Sequence, residues 1–267
     1  MKQRLELIMS IVILVCACIL AKTSAIYVTG RQVEKQNKCI VVDVGHGGFD
    51  SGKVGVNGEL EKDINLQIAL KLKKTLEDQG MSVIMTRKDD QGLYDENASN
   101  KKAQDLQRRC EQINKEKPLL TISIHQNSYT SPEIKGAQVF YYTTSLESQK
   151  LAQILQKTLI EQIDPENHRE AKANDSYYLL KKTDSVIVIV ECGFLSNPQE
   201  AAKLSDEDYQ QKMAEAITLG VNRYLGRDTE NQKEPDEDRV QTEKQNQKEP
   251  DEDKVQTENT NYHENDK

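Results

Sequence analysis

The sequence predicts an α/β fold: a single three-layer domain in which a mixed, twisted sheet is flanked by helices on both faces. Apolar, β-branched runs of strand length recur at Lys38–Val44, Ser82–Thr86, Leu119–His125, Ala137–Tyr142 and Val186–Val190. Longer stretches between them carry apolar residues at helical spacing. The strand runs are apolar at consecutive positions, which suits strands covered on both faces. Strands alternating with long helices assemble into sheets layered in this way.

Each element has its own warrant. The first strand, Lys38–Val44, runs into Gly45-His46-Gly47-Gly48, and Phe49–Gly58 is a glycine-rich loop. The spacing predicts a helix over Glu61–Gln79, because Ile64, Ile68, Leu72 and Leu76 share one face and Gly80 stops it. Beyond strand Ser82–Thr86, Leu93–Asn100 reads as a loop and Lys101–Lys115 as a helix. Pro118 introduces Leu119–His125, and Gly136 precedes Ala137–Tyr142. Leu146–Ile163 is helical on the stripe Leu151, Ile154, Leu155 and Leu159. Asp164–Asp184 is irregular, with a short strand expected at Tyr177–Leu180, and Val186–Val190 is a strand ending at Glu191. Asp206–Leu225 closes the domain as a helix with Tyr209, Met213, Ile217 and Val221 inward.

With 267 residues there is room for a sizeable core, yet only 36% of them are hydrophobic. The two ends account for the shortfall. Residues 1–25 read as a signal peptide, with Lys2 and Arg4 before the apolar run Leu7–Leu20 and a small-residue cleavage site at Thr23-Ser24-Ala25. That run is short for a membrane span, which needs about 20 residues, so cleavage is favoured over anchoring. A membrane role is expected only through an uncleaved N-terminal segment, and a lipoprotein site before Cys18 is a weaker option. Residues 26–37 are a linker to the domain at 38–227.

From Asp228 the chain holds fourteen acidic and six basic residues, and Asn231–Glu243 recurs at Asn246–Glu258, a period of 15, with Arg239 replaced by Lys254. Such a polar repeat buries too little apolar surface to offset its ordering entropy, so residues 228–267 are expected to form a disordered acidic tail. The remaining domain is nearly neutral and has no basic stripe, which excludes a nucleic-acid partner. Cys39, Cys110 and Cys192 are an odd number in an exported domain and show no metal-ligand spacing. Cys39 and Cys192, beside apolar strands, are expected as small buried hydrophobes.

Three predicted strands end in a residue able to carry a metal or a proton: His46, His125 and Glu191. Glu61 lies three residues before Ile64 and seven before Ile68, so it continues the inward face of its helix. A carboxylate aimed at a core must be paired, neutral or bound to a cation. His46, Glu61 and His125 make up the ligand set of a catalytic zinc ion that keeps its fourth position for water. Zinc lowers the pKa of such a water to about 7. Glu191 is then free for the general acid-base work that amide hydrolysis requires. Glu59 competes for the ligand role from the loop before the helix, whereas His168 and His263 fall in polar segments and read as solvent residues.

Four blocks carry a family resemblance: Val42–Gly48, Glu61–Leu66, Ser123–Asn127 and Val190–Asn197. In order and spacing they resemble the signature blocks of the zinc-dependent N-acetylmuramoyl-L-alanine amidases of the amidase 3 type, across about Cys39 to Leu225. The resemblance implies zinc on His46, Glu61 and His125, catalysis by Glu191, and peptidoglycan as substrate. The bond implied is the amide between the lactyl group of muramic acid and L-alanine. Lys101–Arg109 before Ile113-Asn114, with Gly136–Tyr142, resembles the sporulation and germination branch, the CwlD type, which implies a role in spore cortex muramic-δ-lactam formation. Val44 and Ser128 depart from the Pro and Ala common in the family, and the acidic tail lies outside its pattern.

Other readings stay open at this point. A vegetative wall amidase or a zinc peptidase would use the same ligands, and a wall-binding scaffold could hold zinc without turnover. The open three-ligand set and the spare glutamate speak against the scaffold, since closed structural sites use four protein ligands. The expected location is outside the cytoplasmic membrane, at the wall or spore cortex, and whether an activator protein is needed is not legible.

Overall fold

The computed structural model describes residues 39–227. The signal segment, the linker at 26–37, the acidic tail and His263 lie outside the described residues.

Six strands and six helices follow one another along the described residues: β1 (Cys39–Val44), α1 (Glu61–Asp78), β2 (Ser82–Met85), α2 (Lys101–Glu116), β3 (Leu120–Asn127), β4 (Gln138–Tyr142), α3 (Leu146–Gln162), β5 (Lys172–Asn174), α4 (Tyr178–Lys182), β6 (Ile187–Phe194), α5 (Pro198–Leu204) and α6 (Glu207–Tyr224). They form one mixed sheet in the order β2-β1-β3-β6-β4-β5. The β1–β2, β1–β3, β3–β6 and β4–β5 pairs are parallel, and β4–β6 is antiparallel.

The strand pleat sorts the apolar residues into two layers. Ile40, Val42 and Val44 of β1, Leu120, Ile122 and Ile124 of β3, and Val188 and Val190 of β6 join α1, α3, α5 and α6 in the larger core. Val41, Ile187 and Ile189 face the other way, onto Cys110 and Ile113 of α2 and Leu179 and Leu180 of α4. Alternation at a period of two thus gives the central strands helices on both faces. The first strand is buried from Ile40 to Val44, as its unbroken apolar run requires. No helix among the described residues is long and apolar enough to cross a membrane.

Local chemistry sets the helix ends. Asn100, Ser145, Asn197 and Asp206 cap α2, α3, α5 and α6 by accepting backbone N–H groups. Leu60 offers α1 no side-chain cap, and Glu61 and Asp63 bring negative charge to its first turn instead. Cys192 is fully buried as expected, whereas Cys39 is half-buried; these two and Cys110 are all free thiols.

Three sequence expectations need correction. Tyr177–Leu180 is not a strand: Tyr178–Lys182 forms α4, and the strand of that segment is Lys172–Asn174 on β4. Four apolar and aromatic residues carry too short a pattern to separate one helical turn from one strand. Glu191 does not end its strand, because β6 continues to Phe194, and β3 likewise runs past His125 to Asn127. The ladder is kept there by a register shift between His125 and Asn127, a backbone irregularity with no side-chain signature. Finally, Pro198–Leu204 adds a short helix that hydrophobic spacing does not reveal, although Asn197 followed by Pro198 is a capping signal.

Candidate active site

In the sheet, β1 lies between β2 and β3, so the connections on either side of it leave in opposite directions. Such switch points open a crevice at the carboxyl ends of parallel strands. His46 follows β1 at this point and His125 lies near the end of β3, while Glu61 enters from the first turn of α1. One nitrogen of each histidine and one oxygen of Glu61 lie within 4.8 Å of one another. The imidazoles meet edge to face with centroids 5.0 Å apart.

Glu61 is 2% exposed and fully engaged. Its Oε1 lies 3.1 Å from His46 Nε2 and 3.0 Å from His125 Nδ1, and it accepts from Gln126 N at 3.1 Å. Its Oε2 accepts from Lys53 N at 2.8 Å. Burial would raise this carboxyl's pKa, but His125 and His46 hold it well below the ordinary carboxylate range. His46 in turn donates from Nδ1 to Asp50 Oδ2 at 2.9 Å. Burial alone would lower the His46 pKa; the carboxylates of Asp50 and Glu61 overcome it and push the imidazole up to about 9.

Asp50, in the loop after the glycines, is a site residue that sequence reasoning missed. By accepting the Nδ1 hydrogen it fixes the ring's orientation and leaves Nε2 as the atom that faces Glu61, the arrangement in which a partner sets which nitrogen a ligand presents. A spacing of four between His46 and Asp50 was the available signal, but in a loop such spacing does not fix direction.

Glu191 reaches the same crevice from β6. In the parallel β3–β6 ladder it is the partner of His125, so the two side chains stand side by side on one face of the sheet. It is 7% exposed, and its Oε2 has no hydrogen-bond partner among the described residues. Burial pushes its carboxyl up to about 7; the nearby imidazole of His125 opposes the rise and Glu61 adds to it. The competing candidates lie elsewhere: Glu59 accepts from Asn57 within its own loop, and His168 is exposed.

The cleft around these groups has a volume of about 480 Å³. Asp50, Lys53 and Lys102 give it a charged wall, and Tyr177, Leu179 and Ile189 an apolar one. The close packing behind it explains one glycine. A Cβ on Gly45 would lie 2.3–2.7 Å from three atoms of the His125 ring, closer than any such contact allows. Gly45→Ala is therefore expected to displace that ring and to cost about 1–3 kcal/mol of stability, the usual range for overpacking. Thermal melting and zinc titration of the purified variant check this, since a ring able to step aside would leave both at parental values.

The donor set suits a divalent cation. Two imidazoles and a carboxylate converge on one another, as at catalytic zinc sites with three protein ligands. The imidazole of His46, its pKa raised by Asp50 and Glu61, balances the buried charge of Glu61 in part, and a cation at the same place would do so more fully. A buried carboxyl of near-neutral pKa beside such a set is equipment for proton transfer.

Fold and site together define a hydrolase of the α/β class whose chemistry sits at a switch point of the sheet. The chain belongs to the N-acetylmuramoyl-L-alanine amidase family (Amidase_3), whose family model matches residues 40–223. It is accordingly an amidase acting on peptidoglycan. A germination-specific N-acetylmuramoyl-L-alanine amidase of Bacillus subtilis (strain 168) is 40% identical over 191 residues, covering 70% of this chain and 80% of the relative. Among solved structures, the CwlD amidase from Clostridioides difficile in complex with the GerS lipoprotein is 41% identical with a TM-score of 0.69, covering 71% of this chain and 99% of that one. An N-acetylmuramoyl-L-alanine amidase from Clostridium difficile 630 is 30% identical with a TM-score of 0.64, covering 72% and 98%.

Proposed function

We propose that the chain is a zinc-dependent amidase that removes stem peptides from muramic acid in the spore cortex, where cleavage precedes muramic-δ-lactam formation and germination. The observation that carries the zinc reading is the convergence of His46 Nε2, Glu61 Oε1 and His125 Nδ1, with Glu191 unpaired beside them. Identity to a relative named as germination-specific supports the spore role.

In this reading His46, Glu61 and His125 hold the metal and Glu191 is the catalytic residue. Zinc, when bound, supplies Lewis-acid polarisation of the scissile carbonyl and makes a nucleophile available at neutral pH. The chain's own groups do the rest. Asp50 keeps His46 in the tautomer that presents Nε2. Gln126 N and Lys53 N hold both oxygens of Glu61 in place. Glu191 takes the proton of the attacking water on its free Oε2 and returns it to the departing L-alanine amine. The apolar wall at Tyr177 and Leu179 limits water around the reacting amide, and Lys53 and Lys102 set the sign of the opposite wall.

Peptidoglycan lies outside the cytoplasmic membrane, so export through Met1–Ala25 fits the substrate, with residues 38–227 as the working domain and the acidic tail as a tether. The C. difficile relative was solved with a lipoprotein, which supports a protein partner for this chain as well. Mass spectrometry of cortex peptidoglycan digested by the zinc-loaded protein tests the proposal. Free stem peptides beginning with L-alanine, and their loss after chelation, are the expected products. Vegetative wall cut in preference to cortex would move the role to the vegetative wall, and cleavage within peptides alone would make the chain a peptidase.

A further inference from the structure

We propose that Arg87 and Arg109 are positioning residues, a pair of buried guanidiniums that fasten together the segments carrying His46, Glu61 and His125; the inference rests on the reading of those three as metal ligands. His46 has a φ of +62°, a left-handed conformation that a residue with a side chain keeps only where its surroundings over-determine it. The surroundings here are specific. Three successive carbonyls, those of Val44, Gly45 and His46, are drawn toward the two arginines. Arg109 donates to His46 O from Nη2 at 2.7 Å and to Val44 O from Nη1. Arg87 donates to Val44 O from Nε at 3.2 Å and to Gly45 O from Nη2 at 3.0 Å. With its carbonyls held on that side, the loop presents the His46 imidazole to Glu61 and Asp50.

The same guanidiniums reach the other two ligand segments. Arg87 Nη2 also donates to the carbonyl of Lys62, the residue after Glu61, at 2.7 Å. Arg109 Nη1 donates to Asp43 Oδ1 at 2.9 Å, and Asp43 Oδ2 accepts from Ser123 Oγ at 2.5 Å. Ser123 stands two residues before His125 on the same face of β3. Thr86 closes the cluster, donating to Asp43 Oδ1 at 2.9 Å and accepting from Val44 N at 3.0 Å. The contacts to the carbonyls use the rigid, many-donor fork of arginine, which a lysine ammonium cannot imitate at several carbonyls at once.

Arg87 and Arg109 are 5% and 1% exposed, and two buried cations repel each other: burial and the neighbouring Arg109 bring Arg87 down to about 10. Hydrophobic residues would fill this space without that penalty. None of Asp43, Arg87 and Arg109 lines the cleft. Asp105 anchors Arg109 on its own helix and Arg87 also donates to Asp89 O, while their other donors reach ligand-bearing backbone directly or through Asp43, which is the work of outer-shell residues at metal sites.

Arg87→Lys and Arg109→Lys keep the charge and remove the fork. Zinc affinity, measured by competition with a chromophoric chelator, is expected to fall about 10–100-fold in each folded variant, as for other outer-shell losses. The visible bands of the cobalt-substituted protein should shift, and kcat should fall while KM stays near the parental value. Folding is followed by circular dichroism, and if Arg109→Lys does not fold, Arg87→Lys decides alone. Folded variants with the parent's zinc affinity and cobalt spectrum, even with lowered melting temperatures, would overturn the proposal and leave the metal site standing. A parent that binds neither zinc nor cobalt would overturn the metal-site reading and this inference with it.

Discussion

Glu191→Gln is expected to retain zinc and to slow stem-peptide release by about 10²–10⁴-fold, the usual contribution of a positioned acid-base group. The amide of glutamine fills the same volume on β6 beside His125 but neither accepts nor returns a proton in the working pH range. Metal analysis of the purified variant with a turnover assay on muropeptides checks the outcome; hydrolysis at the parental rate would remove Glu191 from the mechanism. The same substitution has a signature in stability. An unfolded glutamate ionises near its ordinary value of 4.5, while the folded Glu191 stays protonated up to about 7. Between those values the unfolded chain binds fewer protons, so the parent loses stability as pH rises, by at most about 3 kcal/mol. In the presence of chelator, the glutamine variant should melt above the parent at alkaline pH and alongside it in acid below the unfolded pKa. Equal melting across the range would mean that the carboxyl titrates normally.

His46→Ala is expected to abolish zinc binding, leaving a folded chain without activity. His46 is 18% exposed by its side chain, so its truncation opens space toward the cleft and leaves the core intact. Two ligands would remain, His125 and Glu61, and Glu61 would lose one of the groups that balance its buried charge. Asp50→Asn is the informative comparison, since it spares the ligand and removes only the carboxylate at Nδ1. Its zinc affinity should fall about 10–100-fold, far less than that of His46→Ala. Titration with zinc at constant pH separates the two. Full metal occupancy in His46→Ala would remove the site as drawn, and equal losses in both variants would mean that Asp50 does more than orient the ring.

Much of the site was legible because its residues are rare types at places where the chain pattern leaves few choices. His46 and His125 stand at or next to the carboxyl ends of apolar runs, and Glu61 shares a helical face with Ile64 and Ile68. The supporting groups were not legible in the same way. Asp43 is a charge inside an apolar strand, and Arg109 sits 66 residues away on a helix whose surface is otherwise polar. On a polar helix an arginine that is 1% exposed looks like any solvated one. Asp50, Arg87 and Ser123 were hidden for the same reason: their partners are set by where loops and strands converge.

The amino-acid pattern by itself determined the alternation of strands and long helices, the inward stripes of α1, α3 and α6, and the candidates His46, Glu61, His125 and Glu191, of which the first three bring ligand atoms together. Those features follow from local periodicity and side-chain chemistry, which act over a few residues. The tertiary structure alone decided the strand order that opens the crevice beside β1, the register that sets Glu191 against His125, and the continuation of β6 past the end of its apolar run. It also decided the left-handed turn at His46 and the guanidiniums beneath it. These depend on hydrogen bonds between segments far apart in the chain, and no local pattern records which backbone will come to lie beside which.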